Sequence, residues 1–210
     1  MLNSPRQEEE QEIVGRRERR KLETRARLEE AAYTLFHEQG VEETSIEQVC
    51  EAADVARRTF YSYYANKREL LAQMGIKRIY ARTEPMMSVL LEEFDTTPER
   101  VSGMIDYALE NFKQFDEVDR QIILLAPSLL TPDNEMHEKI ENSALVYFAE
   151  LIDAGRKIGD VTTTLSTEMI VTVMIGTLNV ITTQWATDSN YPVAERLDEA
   201  RSLFIGLLKS

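Results

Sequence analysis

An all-α fold of about nine helices is the architecture that this sequence predicts. Apolar residues recur at three- and four-residue spacings along most of the chain, the period of one helix face. Glycine and proline are scarce, 8 and 6 in 210 residues, so few positions break such a pattern. No stretch sustains the alternation of an exposed strand, and short β-branched runs such as Val161 to Leu165 are too isolated to form a sheet.

Residues 1–15 are polar and acidic without a period and read as a disordered tail. The first helix is expected from about Arg16 to Gln39, with Leu28, Ala31, Ala32, Leu35 and Phe36 on one face and Gly40 as its stop. Thr44 with Glu47, or Ser45 with Gln48, makes a capping box, so a second helix starts there and runs to about Ala52. A break at Ala53-Asp54-Val55 leads into a third, Ala56 to Tyr63. Asn66 is a good N-cap for a fourth, with Glu69 at its N3 position. Pro85 should kink or interrupt that helix. Thr97-Pro98 and Thr131-Pro132 each place a cap before a proline suited to the first helical position. Gly159-Asp160 ends the helix that begins near Pro132, and Ser166 caps one reaching about Thr187. Asp188-Ser189-Asn190 is a loop, and Pro192 opens a last helix that runs almost to Ser210.

The net charge of −13 argues at first against a nucleic-acid partner, but the charge is unevenly spread. Residues 1–80 carry 14 basic and 15 acidic side chains, and residues 81–210 carry 10 and 22. Two windows are locally basic: 16–27 with seven basic and two acidic residues, and 57–78 with six and one. Phosphates respond to such patches rather than to the chain average.

Three short helices with a tight turn between the second and third describe a helix-turn-helix, whose last helix enters the major groove. Here that helix carries Arg57, Arg58, Thr59, Tyr61, Ser62 and Tyr63. Arginine donates bidentately to guanine, and Thr and Tyr hydroxyls reach phosphates or base edges. Phe60 and Tyr64 are spaced to face inward, towards Leu35, Phe36, Ile46 and Val49. Lys67, at the start of the next helix, joins a positive side chain to free N–H groups, a phosphate site. Two readings fit the run Arg16, Arg17, Arg19, Arg20, Lys21: an arm reaching the adjacent minor groove or phosphates, or a solvated first turn of helix. The DNA-binding unit that follows favours the arm.

The segment Thr24 to Leu71 resembles the DNA-binding domain of the TetR family. The resemblance rests on Ala31-Ala32-x-x-Leu35-Phe36-x-x-x-Gly40, Thr44-Ser45-Ile46-x-x-Val49, Ala53-Asp54-Val55 and Thr59-Phe60-Tyr61-x-Tyr63-Tyr64-x-Asn66-Lys67-x-x-Leu70-Leu71. It implies DNA contacts at Thr44, Arg57, Arg58, Thr59, Tyr61, Tyr63 and Lys67, to which Ser45 and the basic run are added from the residues themselves. Two positions depart from the family pattern: Asp54 stands where the turn usually has Gly, and Ala56 where the last helix usually has a Ser cap. Asp tolerates a left-handed backbone, and losing the cap costs about 1 kcal/mol of local stability.

The expected organisation is therefore a tail (1–15), a helix-turn-helix domain (16–80) and a helical effector-binding and dimerisation domain (81–210). In the last helix Val193, Leu197, Ala200, Phe204 and Leu207 alternate spacings of four and three, a seam for a partner helix. The preceding helix offers Val173, Gly176 and Val180 on one side, so two helices from each of two chains would make a four-helix bundle and a homodimer. Polar residues within apolar helices, together with neighbouring aromatics, nominate Tyr107, His137, Asn179 and Trp185 as effector contacts.

Other classes fit poorly. One cysteine, Cys50, excludes an internal disulfide and suits a reducing cytosol, and no run of eighteen or more apolar residues or leader-like segment is seen, so a cytoplasmic protein with no membrane partner is expected. His37 and His137 fall in separate domains, Glu92-Glu93 point to different helix faces, and no Gly-rich phosphate loop, HExxH or CxxC occurs. No enzyme, metal or cofactor is expected. The sequence predicts a regulator that binds a (pseudo)palindromic double-stranded operator as a homodimer, by resemblance a repressor released by a small-molecule effector.

Overall fold

The computed structural model describes residues 5–80, 82–125 and 135–209, with side chains for all of these except 5–14, 76, 79, 80, 125 and 135–143. Every regular element among the described residues is a helix: α1 (Pro5–Gln39), α2 (Ile46–Ala52), α3 (Arg57–Phe60), α4 (Lys67–Tyr80), α5 (Thr83–Glu93), α6 (Thr97–Gln114), α7 (Glu117–Leu125), α8 (Glu135–Ile158), α9 (Thr167–Thr187) and α10 (Val193–Leu207). The chain divides into two compact units, Met1–Leu70 and Leu71–Ser210. The division falls inside α4 rather than after residue 80. One end of α4 bonds the first unit through Lys67, and the other pairs within the second through Arg78.

In the first unit, α1 begins at Pro5 and not near Arg16. Proline fits a first helical turn, and Glu8, Glu9 and Glu10 suit the positive end of a helix, so the segment read as a disordered tail is helical from Pro5. Gly40 ends α1 at φ +88°, its N–H bonded to the Phe36 carbonyl at 3.0 Å. Of the two capping boxes open to α2, the one that forms is Ser45 with Gln48. Asp54 takes the left-handed conformation, φ 51°, that the turn requires. Its N–H bonds Glu51 and the next bonds Cys50, the paired closure of a Schellman turn. Ala56 makes no side-chain cap, as its methyl dictates.

α3 is shorter than expected, closing at Phe60. Ser62 and Tyr63 continue it only as tight turns, bonding Thr59 and Phe60 three residues back. Leu28, Ala32, Phe36, Val49, Phe60, Tyr64 and Leu70 form the buried interior of this unit.

In the second unit, Pro85 lies in the first turn of α5, so it opens a new helix where a kink was one expectation. Thr96, one residue earlier than expected, caps α6 with Glu99 at N3. α7 is the helix that the sequence reading lacked. Asp116 and Asp119 cap its start reciprocally, each carboxylate accepting the other's backbone N–H at 3.0 and 3.2 Å. Thr131-Pro132 lies outside the described residues. The core gathers Met87, Leu90, Val101, Ile105, Phe148, Ile152, Met174 and Phe204 from five helices. Gly155 permits the close approach of α8 to the start of α6, where a Cβ would strike Thr97 Oγ1.

The seam expected between two chains along α10 is spent inside one chain. Leu197, Ala200 and Phe204 are buried in the core, and Val193 and Leu207 pack against it. A four-three spacing marks a helix face that packs, and it does not say on which molecule the partner lies. α9 is long and apolar enough to cross a membrane by length and composition, yet Ile170, Met174 and Ile181 on one face belong to the core. Its outward stripe holds Met169, Gly176 and Val180, with Val173 half-buried beside it.

Candidate nucleic-acid interface and effector pocket

Phe60 and Tyr64 are fully buried, and they pin the segment between them from behind. The residues that alternate with them point outward. Arg57, Arg58, Tyr61 and Ser62 are exposed, and Thr59 and Tyr63 are half-buried. The Arg57 guanidinium meets Glu47 Oε1 at 2.7 Å, donates to the Tyr61 hydroxyl at 3.3 Å and lies 5.7 Å from the centre of the Tyr61 ring. Glu47, on α2, was not among the expected site residues; the sequence marked it only as the partner of Thr44 in the capping box that does not form, and the structure leaves it exposed.

The rear of this face is held by a buried polar triad that the sequence did not reveal. Tyr64 donates to Glu29 Oε1 at 3.0 Å, and Arg25 Nε donates to the same oxygen at 3.1 Å. Burial and the Glu29 charge push the Tyr64 hydroxyl well above the usual tyrosine range. Burial likewise raises the Cys50 thiol, in keeping with a core residue rather than a nucleophile.

Three expected contacts are otherwise occupied. Lys67 Nζ donates to the carbonyls of Val41 at 2.8 Å, Glu42 at 3.1 Å and Thr44 at 2.9 Å, so all three N–H donors are used in closing the α1–α2 loop. Its charge remains near the surface, but its donors do not. Thr44 is buried, with its hydroxyl on the Gly40 carbonyl at 2.8 Å. Ser45 accepts from the Gln48 N–H at 3.2 Å as the α2 cap. Arg16, Arg17, Arg19 and Arg20 are exposed on continuous helix rather than on an extended arm, and Arg19 pairs with Glu23. Arg78, counted with the basic window 57–78, belongs to the second unit's cavity.

That cavity has a volume of about 130 Å³. Met86, Met104, Phe112, Phe148 and Ile175 make its apolar wall, and Arg78, Arg82, Asn111 and Thr182 bring polar groups to it. Tyr107 and Asn179, both expected, line it. Trp185 does not: it stands behind Phe112 and Phe115, at ring-centre distances of 5.1 and 5.6 Å, with Arg120 stacked over it at 4.0 Å. Its apolar surroundings misled the assignment, because a buried aromatic more often packs against other rings than against a ligand. The side chain of His137 lies outside the described residues. Among the described residues no cluster of His, Cys, Asp or Glu could hold a metal ion.

Comparison with known proteins agrees with this geometry. Residues 28–74 match the family of bacterial regulatory proteins, tetR family. Over 161 residues, 77% of this chain and 80% of the relative, the chain is 24% identical to the uncharacterized HTH-type transcriptional regulator YdgC of Bacillus subtilis (strain 168). Over 56 residues, 27% of this chain and 25% of the relative, it is 43% identical to the HTH-type transcriptional regulator TcmR of Streptomyces glaucescens. The crystal structure of the transcriptional regulator FadR from Bacillus subtilis, in complex with stearoyl-CoA, has the same fold. Its TM-score is 0.65 at 19% identity, covering 87% of this chain and 98% of that one. The match to bacterial regulatory proteins of the tetR family is thus carried by residues 28–74, which hold the helix-turn-helix, and the likeness to FadR extends the shared fold over most of the chain.

Proposed function

We propose that the chain is a homodimeric, cytoplasmic repressor that binds a (pseudo)palindromic operator and is released by a small effector, without catalytic activity of its own. The observation that carries the reading is the outward face of α3: Arg57, Arg58 and Tyr61 exposed together on a segment locked from behind by Phe60 and Tyr64. A helix so presented fits the major groove, and its arginines match the guanine edge. Two copies suit the reading because one such unit makes too small a footprint for typical specificity. The stripe of Met169, Gly176 and Val180 on α9 supports self-association, since Met169 and Val180 are apolar and 52% and 61% exposed. In this reading the α9 stripe, and not the buried Leu197, Ala200 and Phe204, forms the dimer face, and Leu203 of α10, 47% exposed, is a further apolar candidate.

A half-open, apolar cavity with a few polar groups supports an effector site. The FadR neighbour is described as bound to stearoyl-CoA. The cavity here, about 130 Å³, has the capacity of a ring or a short chain, so a long acyl chain would have to enlarge it. By linkage, an effector that favours the DNA-incompatible state weakens operator binding, and operator weakens effector binding equally.

Selection of bound genomic fragments with the purified full chain, followed by salt titration on the best site, tests the reading. A two-fold-symmetric site bound far more tightly than random DNA is the expected result. Binding without sequence preference, or none at low salt, would overturn it.

A further inference from the structure

The second unit is acidic: residues 71–210 hold 22 acidic and 12 basic side chains. Its cavity has the opposite local character. Among the described residues, the two charged ones that line it are both arginines, Arg78 and Arg82. Arg78 is committed, its Nε and Nη2 donating to the two oxygens of the fully buried Asp119 at 3.0 and 3.2 Å. Asp119 therefore cancels one positive charge and no more. Among the described residues the Arg82 guanidinium touches no carboxylate, and its one polar contact is a long one, 3.3 Å from Nη1 to Asn111 Oδ1. The acids on neighbouring turns are engaged elsewhere. Glu84 faces the Tyr147 hydroxyl, and Asp106 is bonded by Arg201 at 2.6 Å and Glu110 by Lys113 at 3.1 Å.

We infer that this cavity selects an effector carrying a carboxylate, held at its mouth by Arg82 with Asn111 beside it, on a small apolar body that enters between Phe112, Phe148 and Met104. The inference rests on the reading of the chain as an effector-released regulator and names the chemistry of that effector. Arg82 is exposed, so its guanidinium reaches the mouth while the apolar wall lies deeper. A planar guanidinium meets a carboxylate with two parallel hydrogen bonds, whereas an ammonium group there would face an uncompensated like charge. The body is limited by volume: about 130 Å³ is close to an engineered apolar cavity of about 150 Å³ that holds benzene.

Matched probes of one body and three head groups test this: 3-phenylpropionate, 3-phenylpropanamide and 3-phenylpropylamine, and the same series on a hexyl chain. Each is titrated by calorimetry into the full chain and into Arg82→Gln, and then added to the operator complex. The carboxylate of a series should bind about ten-fold or more tighter than its amide, more weakly still as the amine, and Arg82→Gln should erase that preference. Amine or amide binding as tight as the carboxylate, no carboxylate binding at all, or a preference that survives in Arg82→Gln would each overturn the inference. The melting temperature of Arg82→Gln, expected to match the parent because the side chain is exposed, shows that the variant is folded. Specific operator binding without probe is scored separately. A chain that binds its operator but prefers amines loses only this inference, and one that binds carboxylates but no specific DNA loses only the regulator reading.

Discussion

Tyr64 donates its hydroxyl to Glu29 Oε1 at 3.0 Å, across thirty-five residues of sequence, and so ties the segment that follows α3 to the last third of α1. Both side chains are buried, and Arg25 supplies the compensating charge. Tyr64→Phe should cost about 1–2 kcal/mol, read as a lower melting temperature of the full chain. Because the folded hydroxyl sits above its ordinary value of 10.0, its contribution is intact below that pH and is lost as the pH climbs towards the raised folded value. Alkaline melting of the parent chain should therefore steepen above that point, and the Phe variant should lack this component.

Arg57 is paired with Glu47 before any DNA arrives. Arg57→Ala should cost about 1–3 kcal/mol on the selected operator and much less on random DNA, measured as a ratio of dissociation constants at one salt concentration. Glu47→Ala should lower the same ratio from the other side. It removes an exposed negative charge and frees Arg57 to swing, so binding to random DNA rises and the ratio falls. A ratio unchanged in Glu47→Ala would show that the pair does not orient the arginine.

Lys67 closes the α1–α2 loop through three carbonyls, so its loss should be felt on every DNA sequence. Lys67→Ala is expected to lower stability by about 1–3 kcal/mol and to weaken operator and random DNA alike. Lys67→Arg should not restore the parent value, because a planar fork cannot address three convergent acceptors as an ammonium does. Full recovery by Arg would mean that the charge, and not the loop closure, is what matters.

Val180 and Phe204 separate surface from core. Val180→Arg, at a side chain 61% exposed, should leave the melting temperature of the second unit nearly unchanged while sedimentation shows a lighter species. Phe204→Ala, at a fully buried ring, should cost about 3–5 kcal/mol. A Val180→Arg chain that sediments as the parent does would move the dimer face elsewhere.

Gly155 sits where Thr97 Oγ1 and the Asp160 carboxylate converge, with Asp160 accepting from the Thr97 N–H at 2.6 Å and hydroxyl at 2.7 Å. Gly155→Ala should destabilise by about 1–3 kcal/mol, since the added methyl meets Thr97 and Asp160, which are held by their mutual hydrogen bonds, and the buried Val161. Thermal melting of the full chain checks this.

What the sequence determined by itself was local. Gly40, Asp54 and the Ser166 cap place helix ends, and the sequence narrowed the α2 start to two capping boxes of which Ser45 with Gln48 forms, because caps and left-handed turns are decided within a few residues. The inward pair Phe60 and Tyr64 and the outward Arg57, Arg58 and Tyr61 were legible for the same reason: a helix-turn-helix is short, and its spacing fixes its faces. What only the tertiary structure decided was the partner of each face. The α10 seam packs on its own chain, Trp185 packs on Phe112 and Phe115, Lys67 spends its donors on loop carbonyls, and Arg78 turns to Asp119 forty-one residues away. Periodicity tells that a side chain is buried or charged, but the desolvation that must be compensated is set by whichever distant residue the fold brings alongside it, and that residue has no fixed spacing in the chain.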